Sequence, residues 1–434
     1  MGNIRRVCDM KKILYHLQLS NVDVNKQFNM SKDSNFSFFC NLSAALEEYF
    51  PGKYQFHLLV PSEMFVSKED IRILSKMGNK TLILHRSDYS RNVFSSRYHW
   101  DDYEMNYKIK LIEPDIIWEN NPTLVNNWKT LLLEMNLIDK IKVVTYNHWI
   151  DTEEYPKIDR RAPYTIRQAE GYLLSDLYLC NSKEACQQVE DGVIMWFSNW
   201  KTPYTFTKLH NIPPIISEKE IADSKIYEKD EQIVDDDVVR IVYNHRLSSL
   251  PYYKSAYDFF MKNFSSMLRD KRFKTKLKNV KCEIIFTDVS SKTCLDKLQK
   301  DLKIPKEFKN ITIRHESGLS RNSYLKLLRS TDICVGTFVE KFGGCWSMSL
   351  AEGILTENAV LIPQHSGYLE MVYSEHYLGM FSNAEDFKSK LYALMVSQKY
   401  RSLFASQAYK HYMSKNSAKK VVTKLDKLLN NILN

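Results

Sequence analysis

The chain has 434 residues, of which 44% are apolar and 26% charged, and its formal net charge is +9. This length exceeds one ordinary hydrophobic core and fits two α/β domains of about 200 residues each. The composition is globular and excludes extensive disorder. No pair of the eight cysteines has the C-x-x-C spacing of a zinc or redox site, so the sequence predicts buried, reduced thiols and a cytoplasmic location.

Hydropathy and charge also limit the partners of the chain. No apolar run approaches the roughly 20 residues that span a bilayer, so no integral membrane segment is expected. Lysines and arginines are concentrated at 262–281 and 410–427. Such runs are commonly solvated helix faces, but two of them in a basic chain also fit a polyanionic partner, either nucleic acid or an anionic membrane surface.

The first half of the chain alternates short apolar runs with longer amphipathic ones, a rhythm typical of parallel sheets with helical crossovers. Helices are predicted between the strands, for example over Phe36–Tyr49 and Leu124–Met135. The predicted strands are Lys12–Leu17, Tyr54–Val60, Thr81–His85, Asp115–Trp118, Lys142–Tyr146 and Asp176–Cys180. Together they predict a Rossmann-like domain over residues 1–212.

The rhythm breaks at 213–237, an acidic segment that begins with two prolines, and we interpret it as a linker. The rhythm resumes in a second predicted Rossmann-like domain at 238–400. The predicted strands of that domain are Val238–Tyr243, Cys282–Thr287, Ile311–His315, Asp332–Thr337 and Ala359–Pro363. A basic amphipathic stretch at 401–434 predicts a last helix, which can pack back on the N-terminal domain.

Polar residues follow the first predicted strand of the second domain. His245 and Arg246 come directly after it, and Lys254 lies further along the same region. In such sheets, ligands bind beyond the carboxyl ends of the strands. Arg and Lys at this place fit a diphosphate, because both donate hydrogen bonds to phosphate oxygens. Solvated loop charges are the alternative.

A second group of polar residues follows the fourth predicted strand of that domain and leads into a helix. The paired glycines Gly343 and Gly344 let the backbone approach a ligand closely. The helix start favours phosphate, and Ser347 and Ser349 can cap it or donate to phosphate. Glu352, inside the helix, can accept hydrogen bonds from ribose hydroxyls. Alternatively, the glycines form only a tight turn and Glu352 is a surface helix residue.

The run from Glu340 to Val372 resembles the donor-binding signature of retaining GT-B glycosyltransferases. In that signature a Glu, a Phe-Gly turn, a helix with a second Glu, a buried strand and a Gly-x-x-Glu turn follow in order. Arg246 and Lys254 resemble the diphosphate-binding Arg and Lys of the same family. The resemblance covers about residues 238–375 and is only architectural over the first domain.

The resemblance implies an α/β protein of the GT-B fold, with two Rossmann-like domains facing each other across a cleft. It implies glycosyl transfer with retention from a nucleotide-diphosphate sugar, with a UDP-sugar as the expected donor and no metal or other cofactor required. Arg246 and Lys254 would stabilise the leaving diphosphate. The donor-binding residues that it implies are His245, Glu340, Gly343, Gly344, Trp346, Ser347, Ser349 and Glu352.

The chain also departs from the signature. The family places its two glutamates eight residues apart, whereas Glu340 is displaced by four residues from that position relative to Glu352. Either Glu340 reaches the donor sugar from a longer loop, or the backbone of Gly343 and Gly344 takes its place. The glycine-rich loop expected after the first strand of the N-terminal domain is missing, and Gln18 stands in that region.

In the first domain, the resemblance places a His close to the donor sugar, and we assign this role to His148, which follows the strand Lys142–Tyr146. A packed, hydrogen-bonded histidine is the alternative. Asp151 can act as a base or an acceptor ligand, or it can cap the next segment. Gln18 and Asn121 also follow predicted strands and are expected on the acceptor side.

The acceptor is expected to be presented by nucleic acid. The basic charge and the aromatic-rich stretch at 94–107 fit this partner, because a base flipped out of a duplex needs stacking and phosphate contacts. These aromatic residues equally fit a core. The stretches Tyr243–Leu247 and His148–Asp151 resemble phage-encoded glycosyltransferases, which implies hydroxymethylated pyrimidines in DNA as acceptors and the host cytoplasm as location.

Other functions remain open from the sequence. Two are transfer to a surface polysaccharide and transfer to queuosine in tRNA. A nucleotide-sugar epimerase and a non-catalytic nucleic-acid-binding protein with this fold are further alternatives. The sugar and the oligomeric state are not predicted.

Overall fold

The computed structural model describes residues 10–17, 34–61, 82–87, 101–147, 162–197, 206–224, 237–245, 247, 251–288, 295–339, 346–372 and 376–434. These residues form two compact units. The described part of the first unit lies within Met1–Ile215 and Ala418–Asn434, and that of the second lies within Ile216–Ser417. Each unit contains its own parallel sheet.

The strands of the first unit are β1 (Lys11–His16), β2 (Tyr54–Pro61), β3 (Leu82–Ser87), β4 (Ile116–Glu119), β5 (Lys142–Asn147), β6 (Leu177–Cys180) and β7 (Leu209–Asn211). They pair in parallel in the order β3-β2-β1-β4-β5-β6-β7. β4 and β6 are buried along their whole length, as expected for strands covered by helices on both faces. The strand order reverses between β1 and β4.

The helices of the first unit that precede the second unit in the chain are α1 (Ser34–Tyr49), α2 (Asp102–Ile112), α3 (Val125–Glu134), α4 (Ala162–Leu174) and α5 (Lys183–Phe197). A short 3-10 helix, Pro122–Leu124, lies between β4 and α3. Helix α4 packs closely on this turn, because Gly171 brings its backbone within reach of the Pro122 carbonyl group. A side chain at position 171 would overlap that carbonyl.

The strands of the second unit are β8 (Val238–Tyr243), β9 (Lys281–Asp288), β10 (Ile311–Ser317), β11 (Ile333–Val335), β12 (Ala359–Pro363) and β13 (Met380–Phe381). They are also parallel, in the order β10-β9-β8-β11-β12-β13. The order reverses between β8 and β11. Such switch points are where ligands bind in open α/β sheets.

The helices of the second unit are α6 (Glu218–Asp223), α7 (Pro251–Arg269), α8 (Lys271–Leu277), α9 (Leu295–Leu302), α10 (Arg321–Arg329), α11 (Met348–Leu355), α12 (Ser366–Val372), α13 (Ala384–Val396) and α14 (Gln398–Asn416). None of the helices in the described ranges is long and apolar enough to cross a membrane.

The last helix, α15 (Ala418–Leu433), belongs to the first unit. Its apolar face enters the core that also contains residues of α1 and β2. Asp426 on this helix accepts hydrogen bonds from Lys53 Nζ at 2.5 Å and from the Tyr54 hydroxyl at 2.7 Å. The lysines on the other face are exposed: Lys419, Lys420, Lys424 and Lys427.

The segment interpreted as an acidic linker at 213–237 is packed over its first half. Ile215 and Ile216 are buried, and the Ser217 hydroxyl caps α6 by accepting from the Glu220 amide. Arg329 Nε donates to Ser224 Oγ at 2.8 Å and so ties the end of this segment to α10. Residues 213–224 are therefore packed, and the boundary between the two units falls among them, between Ile215 and Ile216. Residues 225–236 lie outside the described residues.

Candidate functional site

Polar residues gather at the switch point of the second sheet. Asn244 and His245 directly follow β8 and are buried. Ser347 and Ser349 stand at the start of α11, the first described helix after β11. Hydrogen bonds join the two pairs, so residues from two parts of the chain meet at the carboxyl edge of the sheet. Open α/β sheets bind their ligands at this place.

The His245 ring is held from two sides. Its Nε2 lies 3.1 Å from the Val335 carbonyl oxygen at the end of β11, and its Nδ1 lies 3.4 Å from Ser349 Oγ. Burial lowers the pKa of His245 to about 4, although the hydrogen bond to Val335 acts in the opposite direction. The ring is therefore neutral near neutral pH. It donates through Nε2 to Val335 and accepts through Nδ1 from Ser349.

Asn244 connects three elements around the same point. Its Nδ2 donates to the Ser349 carbonyl oxygen at 2.9 Å and to the Tyr324 hydroxyl of α10 at 3.0 Å. Its Oδ1 accepts a weak hydrogen bond from Cys334 Sγ at 3.4 Å. Asn244 thus fixes the start of α11 relative to β8 and β11.

The N-terminus of α11 is capped by Ser347. The Ser347 hydroxyl accepts from the Leu350 amide at 3.4 Å and lies 3.1 Å from Ser349 Oγ. A helix start carries partial positive charge from its unpaired N–H groups and attracts phosphate oxygens. The start of α11 therefore fits an anionic group.

Glu352 lies one turn inside α11 and is only 4% exposed. The alternative that it is a surface helix residue is therefore wrong. Its Oε1 pairs with Arg321 Nη1 at 2.5 Å. Burial raises the pKa of the Glu352 carboxyl, and the Arg321 guanidinium opposes that rise. Sequence reasoning missed Arg321, because it stands 31 positions away from Glu352 in the chain and no local pattern pairs the two residues.

Trp346, which directly precedes the helix cap, is buried and packs on Tyr412 with the ring centroids 6.2 Å apart. Within the described ranges, no hydrogen-bond partner is present for Trp346 Nε1 or for the Tyr412 hydroxyl. A buried donor without a partner is costly. A water molecule or a ligand atom would therefore be stabilised beside these groups.

Lys254 lies on the first turn of α7 with its side chain 61% exposed. Its ammonium group pairs with Asp258, four residues further along the same helix. An exposed pair of this kind contributes little to stability. Lys254 can therefore exchange the Asp258 carboxylate for a phosphate group at little cost in free energy.

Half of the predicted site residues cannot be placed. Gln18, His148, Asp151, Arg246, Glu340, Gly343 and Gly344 lie outside the described residues. The roles predicted for them remain predictions. In the part of the chain that is described, no group of His, Cys, Asp and Glu side chains has the arrangement of a metal site.

A second buried polar cluster lies at the switch point of the first sheet, where β1 and β4 end. His16 Nδ1 donates to Glu119 Oε2 at 2.6 Å, and Trp128 Nε1 donates to the same oxygen at 2.9 Å. The Asn121 amide donates to Glu119 Oε1 at 2.7 Å. The side chains of His16, Glu119 and Trp128 are inaccessible to solvent. Sequence reasoning gave Glu119 no role, although its place directly after an apolar run was a signal.

Asn121 was expected on the acceptor side, and in the structure its side chain caps a short helix. Its Oδ1 accepts from the Thr123 hydroxyl at 2.8 Å and from the Thr123 amide at 3.2 Å, which caps the short 3-10 helix. It is buried. The neighbouring Asn120 is also engaged, because it accepts from Trp118 Nε1 and donates to the Tyr15 hydroxyl.

Comparison with known proteins gives a clear result for structure alone. No protein-family model and no curated protein sequence matches the chain. Among solved structures it is similar to Anabaena HepE in complex with UDP, with a TM-score of 0.64, 10% identity and coverage of 97% of this chain and 100% of that one. A glycosyltransferase from Rickettsia africae gives a TM-score of 0.60, 14% identity and coverage of 98% and 99%.

A trehalose-6-phosphate synthase, studied for enzymatic glycosyl transfer with retention, has a TM-score of 0.65 and 10% identity, with coverage of 97% of this chain and 99% of that chain. Similarity at these identities establishes the fold. The chain is an α/β protein of the GT-B type, with a Rossmann-like sheet in each of its two units.

Proposed function

We propose that the protein is a glycosyltransferase that uses a nucleotide-diphosphate sugar. The observation that carries this proposal is the start of α11, which Asn244 and His245 hold at the switch point of the second sheet. That arrangement presents the N–H groups of a helix start where a diphosphate would lie. The complex of the similar Anabaena protein with UDP supports UDP as the nucleotide.

The proposed donor site assigns each group a task. The N–H groups at the start of α11, together with Arg246 and Lys254, stabilise the negative charge that develops on the leaving diphosphate. Glu352 accepts hydrogen bonds from the ribose hydroxyls. None of these tasks needs proton transfer by a side chain, and no step is assigned to a metal.

We propose that transfer occurs with retention at the anomeric carbon. In front-face transfer, the acceptor hydroxyl attacks on the side from which the diphosphate leaves. The departing diphosphate oxygen takes the hydroxyl proton while the new glycosidic bond forms. The similarity to a trehalose-6-phosphate synthase studied for retention supports this course.

For the acceptor, we propose a hydroxymethylated pyrimidine in DNA. The four exposed lysines of α15 support a polyanionic acceptor, because the opposite face of this helix is fixed in the core of the first unit. Lysines on a rigid support can contact phosphates without further ordering of the backbone. The overall charge of +9 also favours a polyanionic acceptor.

A donor-by-acceptor screen read by mass spectrometry tests the proposed function. Nucleotide-sugars are incubated with hydroxymethylcytosine DNA, plain DNA, tRNA or no acceptor. We expect transfer from a UDP-sugar to hydroxymethylated DNA alone, and NMR of the product should show the anomeric configuration of the donor, as retention requires. Donor hydrolysis without transfer to any of these would reject the DNA acceptor. Absence of both donor binding and donor turnover would reject the glycosyltransferase.

Arg246→Ala and Lys254→Ala are each expected to lower donor turnover by about 10²-fold, the usual loss when one donor to a developing oxyanion is removed. Lys262→Ala is the matched control, since Lys262 is an exposed lysine on the same helix as Lys254. It should leave turnover unchanged. Initial rates with a saturating acceptor make the comparison. Wild-type rates in both site variants would reject this assignment of the diphosphate site.

A further inference from the structure

A chain of charged side chains connects α6, α10 and α11 in the second unit. Arg321, the first residue of α10, bonds to two carboxyl groups at once. Its Nη1 lies 2.5 Å from Glu352 Oε1 on α11, and its Nη2 lies 3.0 Å from Glu220 Oε2 on α6. Its Nε also lies 3.2 Å from Glu220 Oε2. The planar guanidinium is the group that can hold two carboxylates in fixed directions.

The two carboxylates differ in exposure. The Glu352 side chain is 5% exposed, whereas the Glu220 side chain is 39% exposed. A buried carboxylate needs an opposite charge close by to remain ionised. Arg321 is the only cation that contacts Glu352 among the described residues. Glu220, from the solvent side, fixes the direction of the guanidinium.

We propose that Arg321 is a positioning residue for donor binding, which holds the Glu352 carboxylate charged and oriented to accept hydrogen bonds from the ribose hydroxyls. This inference rests on the proposed function, since it assigns a ribose to Glu352. Arg321 itself acts through Glu352 and need not touch the donor.

The other titratable groups near Glu352 do not compete with this assignment near neutral pH. Burial raises the pKa of the Tyr324 hydroxyl, the Cys334 thiol and the Tyr412 hydroxyl, so all three stay neutral. His245 is neutral as well. A change in the protonation of Glu352 would therefore be visible as a separate pH dependence of donor binding.

The test compares the affinities for UDP and for 2′-deoxy-UDP, measured by calorimetry over about pH 6 to about pH 9. The wild type is expected to prefer UDP at every pH. In Arg321→Met, Glu352 loses the cation that opposes its raised pKa, so its pKa should rise further. The ionised fraction of a carboxyl falls about tenfold for each unit that the pH lies below its pKa. The preference for UDP should therefore be weakest at the acid end of this range and increase as the pH rises.

Arg329→Met is the matched control. Arg329 lies at the other end of α10 and also bonds to the α6 region, through the Ile221 carbonyl oxygen and Ser224 Oγ, but it does not contact Glu352. It should therefore keep the preference for UDP and its flat pH dependence. Arg321→Lys keeps the charge without the planar fork, so an intermediate preference for UDP is expected. This variant carries the test if Arg321→Met folds poorly.

The outcomes separate this inference from the proposed function. If the wild type binds UDP better than 2′-deoxy-UDP and both Arg321 variants keep that preference at all pH values, the positioning role is rejected while the proposed function stands. If Arg329→Met behaves like Arg321→Met, the effect is structural and the positioning role is again rejected. If the wild type does not bind UDP, the proposed function itself fails.

Discussion

Removal of Ala418–Asn434 is expected to leave the first unit without a stable fold. Four apolar side chains of α15, Val421, Val422, Leu425 and Leu429, are buried in the core of that unit. Burial of one such side chain contributes about 1.5–3 kcal/mol, so the four together contribute about 6–12 kcal/mol. A whole domain is stable by only about 5–15 kcal/mol. The loss is therefore comparable to the entire stability of the unit.

Hydrogen exchange read by mass spectrometry checks this expectation strand by strand. In the truncated chain, β1 and β2 should lose protection, while β8 and β9 of the second unit should keep it. Lys419→Ala combined with Lys427→Ala is the control, because it removes only exposed side chains of the same helix. Native protection of β1 in the truncated chain would contradict the assigned role of α15.

Glu119→Ala is expected to destabilise the first unit by at least about 3 kcal/mol, since each buried hydrogen-bond donor left without its acceptor costs about 1–3 kcal/mol. Glu119 is the acceptor for His16 Nδ1, Trp128 Nε1 and the Asn121 amide, and all three would lose this acceptor in a dry environment. The deleted side chain would also leave a cavity where β1 and β4 meet.

Denaturant unfolding followed by hydrogen exchange of β1 and β4 measures this loss for the first unit separately, since a chain of two units need not unfold in one step. Glu119→Gln is the matched variant, because it keeps the shape and one acceptor oxygen. Its loss should be clearly smaller. Equal stability of Glu119→Ala and the wild type would show that the cluster does not stabilise the first unit.

The sheets could be predicted from sequence because their strands are short, continuous apolar runs with helices between them. The bounds of the predicted strands agree with the structure to within about two residues, the usual uncertainty of element ends. β7 and β13 were missed because two or three residues are too few for any periodicity. Of the two serines predicted to cap α11, Ser347 is the cap, because serine is favoured directly before an apolar run.

The polar contacts within the sites could not be predicted in the same way. Arg321 meets Glu352 and Glu220 only because three helices pack side by side, and no local pattern marks such a pair. Asn121 follows a strand, as a ligand-binding residue would, and its Oδ1 also caps a short helix. Position after a strand indicates where a site lies, whereas the partner of each side chain is decided by packing.

The placement of α15 also has a consequence for the order in which the protein acquires its structure during synthesis. The first unit needs residues 418–434, which leave the ribosome after the whole second unit has been made. Domains generally fold as units while the chain emerges. The second unit is therefore expected to fold first. Until α15 has been synthesised, the strands of the first unit are expected to expose an apolar surface that chaperones can bind.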